Sequence, residues 1–326
     1  MNNLTISYIT NRLEPKIEWF FGSLAKQGGG SIGVNVIDFH ADNEERARNV
    51  SRLANHYGIN LKRHITPKPT VWQGKHRLTK ADYFAASNAS NTAVAVCDTD
   101  WIVFVDDLSV LRPGWLNCVN DAIMRGNITC GGYRKVLELQ VEDGEVIHHK
   151  DHPLGFDVRE RQVGPNNLVP CGGEWFFGCS FVAPVEALLK INGFDEDCDG
   201  MGMQDCIAGL MLRANGYSFV YDSRMMTWES EELHGQPGNV FYREDWGVSP
   251  NDKSHAILNL VYAGRTKAPN YFGPEGLRGL RERMRNTSEF PVVSIPENEW
   301  FSGTPLKDLP LTLKDPTHGA FERKLK

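Results

Sequence analysis

Hydrophobic positions in the first half of the chain switch repeatedly between strand and helix spacing. Residues 4–10 predict a strand. Residues 14–26 repeat at helical spacing, with Ile17, Phe20, Phe21 and Leu24 on one face and Pro15 near the first turn. A second strand is predicted over 32–38, then a helix over 44–57 that carries Ala47, Val50, Leu53, Ala54 and Tyr57 and is closed by Gly58. A third strand follows over 61–66, and Thr79 caps a helix predicted to run through Asn88. Residues 101–105 form a continuous apolar run of the buried, parallel type.

This alternation predicts an α/β fold: a mostly parallel central sheet with helices on both faces. Ligands of such sheets sit at the carboxyl ends of the strands, which directs attention to Thr10-Asn11-Arg12, Asp38 and Asp106-Asp107. Beyond Pro113-Gly114-Trp115 the pattern predicts a short helix, a strand near Ile128, and a β-hairpin over 134–149 turning at Asp143-Gly144. Residues 150–175 read as an irregular, mobile loop, and the pattern tightens at 176–181. Two helices follow, one from Pro184 to Asn192-Gly193 and one over 203–215 closed by Gly216. Periodicity fades beyond residue 236. The expected organisation is one catalytic domain over 1–235, with halves at about 1–115 and 116–235, and a C-terminal appendage over 236–326 packed on it.

Composition narrows the class. The 326 residues are 41% hydrophobic and 23% charged, ordinary for a globular chain. A net charge of −6 argues against a surface that grips nucleic acid throughout. A local basic cluster, Arg265, Lys267, Arg278, Arg281, Arg283 and Arg285, is a possible meeting point for a phosphate-bearing acceptor. Neither a signal peptide nor a membrane-length apolar run is recognisable, and the seven cysteines contain no CxxC pair; their spacing with His148, His149 and His152 is wrong for zinc. A cytoplasmic location with reduced thiols is the expectation.

The strongest chemical signal is VFVDDLSVLRPGW at 103–115, where buried apolar residues run straight into Asp106 and Asp107. Burying carboxylates is costly unless they are paired or hold a cation, and adjacent carboxylates suit Mg²⁺ or Mn²⁺. The competing reading is a solvated turn. Asp98-Thr99-Asp100 spells a literal DxD, but it precedes the strand and belongs to a turn at the opposite edge.

This motif resembles that of glycosyltransferases of the GT-A fold, particularly the large family 2 group and its relatives. Leu108 occupies their usual third acidic position. A second match spans 172–235, with Gly193-Phe194-Asp195, a glycine-containing loop, and Gln204-Asp205 at a helix start where relatives usually carry Glu-Asp. The resemblance implies transfer of a sugar from a nucleotide-diphosphate donor, such as a UDP sugar, to an acceptor hydroxyl. Asp205 would be the general base of an inverting reaction; helix-terminal amides there favour its ionised form. Asp106, Asp107 and His234 would hold a divalent metal. Thr10, Asn11, Arg12, Asp38 and Asn88 would complete the donor site. Glu174, Trp175 and Gln204 would frame the acceptor, whether glycan, lipid-linked or nucleic acid. For Trp175, ordinary core packing is the equal alternative. Rival readings are a retaining enzyme, a nucleotidyltransferase, which lacks support from any phosphate-gripping glycine loop after the first strand, and a silent nucleotide-sugar-binding module.

Overall fold

The computed structural model describes residues 3–68, 85–199, 203–234, 257–270, 272, 275–287 and 289–290. In chain order the elements are β1 (Leu4–Thr10), α1 (Ile17–Lys26), β2 (Gly33–Asp38), α2 (Glu44–Tyr57), β3 (Leu61–Ile65), α3 (Ala86–Val96), β4 (Trp101–Asp106) and β5 (Ser109–Leu111). There follow α4 (Trp115–Arg125), β6 (Ile128–Glu142), β7 (Glu145–Phe156), α5 (Val158–Val163), β8 (Leu168–Cys171) and β9 (Ser180–Pro184). The last are α6 (Val185–Lys190), α7 (Gln204–Ala214), β10 (Phe219–Ser230), α8 (Glu231–His234), α9 over 257–262 and α10 (Gly276–Met284).

Ten strands form one sheet in the order β3-β2-β1-β4-β9-β6-β10-β5, with β7 beside β6 and β8 beside β10. The amino-terminal half is parallel: β2 pairs with β3, and β1 pairs with both β2 and β4. Past β4 the sheet becomes mixed, because β9 runs antiparallel to β4 and β6, while β6 and β10 are parallel. The pleat of β4 divides the core. Val103 and Val105 face the layer of α1, α2 and α4, whereas Phe104 stacks on Phe181 at 4.6 Å in the layer of α3, α6, α7 and α10.

Several expectations are corrected. Helix α1 starts at Ile17 rather than residue 14. The helix expected to end at Asn88 instead begins at Ala86 and runs to Val96; Thr79 lies outside the described residues. Every residue from Ser87 to Val96 is buried, so α3 has no polar face and hence no amphipathic period. Two of its polar side chains find buried partners, while the Ser87 hydroxyl is buried without one among the described residues. Thr92 Oγ1 donates to the Asn88 carbonyl at 2.8 Å, and Asn91 Nδ2 donates to the Phe194 carbonyl at 2.9 Å.

The stretch 150–175 is ordered rather than irregular. Strand β7 continues to Phe156, Asp157 caps α5 by accepting from the Arg159 amide at 2.8 Å, and β8 follows. The hairpin is longer than expected, and its Asp143-Gly144 turn docks on α1: a methyl group on Gly144 would lie 2.1 Å from the Gly22 carbonyl carbon. The strand expected at 176–181 forms three to four residues later, as β9. The described part of the C-terminal region lies on the core through Leu277, Leu280 and Met284 of α10.

The basic cluster is largely consumed by the protein itself. Arg265 pairs with buried Asp195 at 2.6 Å, Arg278 with Glu186, and Arg283 with Glu275 at 2.9 Å. Arg281 donates to the carbonyls of Cys97 and Thr99, both at 2.9 Å. These four arginines are engaged within the described part of the protein.

Candidate active site

Strand register gathers the site. In the parallel half Thr10 lies beside Asp38 and Ile9 beside Asp106, so three strands deliver polar side chains to one carboxyl edge. Because β9 runs the other way, Val105 pairs with Ser180, and the residues just before Ser180 reach the same edge. The Asp106 amide donates to the Cys179 carbonyl at 3.3 Å. A methyl group placed on Gly178 would lie 3.5 and 3.6 Å from the Asp106 carboxylate oxygens and 3.6 Å from an Asp205 oxygen. Asp106 and Asp205 therefore face one another across a glycine. Asp98-Thr99-Asp100 lies at the amino edge, where the Asp100 amide donates to Asn3.

The donor-side residues come together but are heavily engaged. Asp38 accepts two hydrogen bonds from Arg46, at 2.6 and 2.9 Å, and faces His64 at 2.9 Å. Burial alone would raise its pKa; the bonds from His64 and Arg46 outweigh this and hold the carboxyl below its ordinary value. Asp107 accepts from Thr10 Oγ1 at 2.8 Å and from Arg12 Nε at 2.9 Å. Arg12 also donates to the Leu233 carbonyl, and the Asn11 carbonyl meets His40. Asn88 is brought to a different network. Its backbone amide faces Asp199 at 3.3 Å, and its side-chain amide, turned as its neighbours require, meets the carbonyl and ammonium of Lys68. Lys68 in turn is paired with buried Glu196 at 2.7 Å.

Asp107 does not serve as an open metal ligand here, since an arginine occupies it. Leu108, in place of the third acid, is fully buried with a left-handed backbone (φ 58°) and plugs the core beside Tyr8, so no carboxylate is offered there. Residue His234 ends α8, but its side chain lies outside the described residues. Among the described residues no three of His, Cys, Asp and Glu gather as a ready cation cage. Asp106 remains as the hard-oxygen group at the cleft. Burial, then the charges of Glu229, Asp107 and Asp205, push its pKa well above the usual carboxylate range.

On the acceptor side Asp205 opens α7 and accepts from the Gly178 amide at 2.7 Å and the Cys206 amide at 2.8 Å. Those donors favour its ionised form as expected, yet burial prevails and the pKa lies above the ordinary value. Glu174 and Trp175 do adjoin this helix: the Cys206 thiol donates to the Glu174 carbonyl at 3.5 Å. The Trp175 ring packs edge-on against Tyr221 at 5.4 Å and against the core, which favours the packing reading of this half-buried residue. Glu174 is exposed and bridged to Arg213. Gln204 carries a buried side-chain oxygen with no donor among the described residues.

Three contributors escaped the sequence reading. Gly178 leaves the space between the carboxylates, and buried Glu229 adds charge beside Asp106. Arg159, 1% exposed, fixes the loop carrying Gly178: its guanidinium pairs with Asp157 at 2.6 Å, donates to the Trp175 carbonyl at 2.5 Å and the Gly131 carbonyl at 2.8 Å, and lies 4.1 Å over Phe177. The only available signal was an Asp-x-Arg pair at a helix start, which is common on surfaces.

No protein-family model matches the sequence, and no curated protein matches it. Solved structures do match. The fold is the GT-A-like fold of glycosyltransferases. Residues 1–349 of S. aureus TarS, in complex with UDP-GlcNAc, superpose with a TM-score of 0.52 at 14% identity, covering 81% of this chain and 66% of that one. The mannosyltransferase PcManGT of Pyrobaculum calidifontis, in complex with GDP-Man and Mn²⁺, gives a TM-score of 0.51 at 16% identity, with 86% and 69% covered. The chain thus spans just under two thirds of that TarS fragment, and 39% of the longer TarS structure. Among the described residues no helix is long and apolar enough to cross a membrane.

Proposed function

We propose that this chain is a glycosyltransferase that moves a sugar from a nucleotide-diphosphate donor to an acceptor hydroxyl with inversion. The observation that carries the reading is the convergence of Asp106 and Asp205 on the space beside Gly178. Asp205 removes the acceptor's hydroxyl proton, and the oxygen attacks the anomeric carbon. The bond from that carbon to the diphosphate breaks, with the electron pair leaving on the phosphate oxygen. A pKa above the ordinary carboxylate value makes Asp205 a stronger base while it stays ionised, so the rate falls as pH drops through that raised value.

Arg12, anchored on Asp107, directs its positive charge to the donor end. Asp106, with Glu229 nearby, offers the hard-oxygen chemistry that Mn²⁺ or Mg²⁺ prefers; such an ion, when bound, supplies further neutralisation of the departing diphosphate. Gln204 and Glu174 border the acceptor approach, and the acceptor is a glycan, a lipid-linked glycan or a nucleic-acid hydroxyl. The neighbours' complexes with UDP-GlcNAc and GDP-Man support a nucleotide-sugar donor.

The variant Asp205→Asn should lower transfer by a factor of about 10² to 10⁴ while donor binding, followed by calorimetry, stays at the parental level. Transfer at the parental rate would sink the base assignment. One observation favours a second reading, a nucleotide-sugar-binding module without turnover: Arg12 closes Asp107, the second carboxylate of the acidic motif. Nucleotide release from UDP- and GDP-sugars with Mn²⁺ present separates the two, since a silent module releases none.

A further inference from the structure

A cavity of about 390 Å³ lies between the last turn of α1, strand β5 with the turn after it, and the tip of the β6–β7 hairpin. Val110, Leu111, Pro113, Val146 and Trp228 give it a mostly apolar wall. It is distinct from the cleft. Trp228 and Glu229 are consecutive on β10 and so point to opposite faces, and Glu229 is the one whose charge reaches Asp106.

The polar groups of the cavity separate into spent and unspent. Ser23 Oγ donates to the Phe20 carbonyl and accepts from the Leu111 amide, both at 3.1 Å. Gln27 is committed through both ends of its amide, to the Ser23 carbonyl at 3.2 Å and from the Leu116 amide at 3.0 Å. Lys26 and Glu145, both lining the cavity, form a half-exposed ion pair at 2.8 Å, a contact of low net worth that a ligand can exchange.

Two donors remain. The Trp228 indole N–H is buried without an acceptor, and the half-buried Arg112 guanidinium makes no hydrogen bond or ion pair among the described residues. Arg112 instead sits 6.0 Å over the Trp228 ring. The weakly hydrated plane of a guanidinium suits a carboxylate or phosphate. An aromatic floor beside an unpaired arginine, in a space of ligand size, complements a flat body with an acidic end.

We propose that this cavity is a second ligand site, for a small anion whose ring lies against Trp228 and whose carboxylate or phosphate pairs with Arg112. Since Trp228 pairs with Val110 and Glu229 with Ser109, a ligand here abuts the strands that follow Asp107 and carry Glu229. The binding claim does not depend on the transferase reading.

Calorimetry on the full chain with phenyl phosphate, benzoate and benzyl alcohol tests it. At least one of the two acids should bind, identifying the head group, with the neutral alcohol about tenfold weaker or worse. Arg112→Ala should lose about tenfold or more in affinity for that acid, with an unchanged melting point, because the side chain makes no hydrogen bond to lose. Failure of both acids to bind, equal binding of the alcohol, or undiminished affinity in Arg112→Ala would overturn the site. Displacement of the acid by UDP would place it in the cleft and overturn the proposal equally. Should Arg112→Ala shift the melting point, Val146→Phe, which fills the cavity from the hairpin tip, must abolish binding; retained binding counts against the site.

Discussion

Along one sheet edge, Asp38 and Asp107 are each met by an arginine, whereas Asp106 and Asp205 face each other without an ion pair among the described residues. Asp106 also feels Glu229 and is offset by Lys135; Asp205 is offset by two backbone amides and the more distant Arg159. The first pair is closed by the protein. Asp38 is held below its ordinary pKa by His64 and Arg46, and Arg46 also ties down the carbonyls of Arg12 and Leu13. The second pair is left in electrostatic tension, both members shifted upward by burial and, for Asp106, by like charges. A closed side beside a tense one suits a site whose charge balance is completed by what binds there.

The largest effect is expected on the closed side. Asp38→Ala leaves Arg46 and His64 without their buried partner, and breaking such a pair costs about 3–5 kcal/mol, measurable by urea unfolding. Because Asp38 has a lowered pKa in the folded state, its contribution is present above the unfolded value and is lost as pH falls through the folded one. A cost under about 1 kcal/mol would erase the contrast between the two sides.

The tense side should answer in the opposite direction. A carboxyl with a raised folded pKa is favoured below its unfolded value and loses that advantage as pH rises through the folded value, so ionised Asp106 destabilises near neutrality. Asp106→Asn should therefore raise the melting temperature by about 2–4 °C at pH 7, while removing the upward shift expected of Mn²⁺ in the parent. A lowered melting temperature, or an unaltered Mn²⁺ response, would break the comparison. The smallest effect belongs to a pair remote from either side. Arg278→Ala removes a half-exposed ion pair with Glu186 and should cost less than about 1 kcal/mol, which calibrates the other two measurements.

Legibility followed burial and engagement. Helix α2, with one apolar face, Asn43 accepting from Arg46 at its start and Gly58 at its end, was readable to the residue, and α1 to within three residues. Helix α3 was not, because a helix buried all round carries no period and Ser87, Asn88, Asn91 and Thr92 look like surface residues until their partners are known. Segment 150–175 looked irregular because Arg159 and Asp157 are charged residues that serve as core, a role visible only when Phe177, Tyr221 and the carbonyls of Gly131 and Trp175 close around them. The C-terminal arginines suggested an anion-binding cluster, whereas Arg265, Arg278, Arg281 and Arg283 are each engaged within the protein.

Alternating apolar runs and terminal carboxylates determined that this chain builds a sheet with a parallel amino-terminal half carrying Asp38, Asp106 and Asp107 at its carboxyl edge, and a helix with Asp205 in its first turn. Those signals are local, written in spacing that one element reads from its own residues. Which carboxylates are closed and which stay open was decided by tertiary structure, through Arg12 on Asp107, Arg46 on Asp38, and the antiparallel return of β9 that sets Gly178 between Asp106 and Asp205. Charge pairing depends on distances between residues far apart in the chain, and no local pattern contains them.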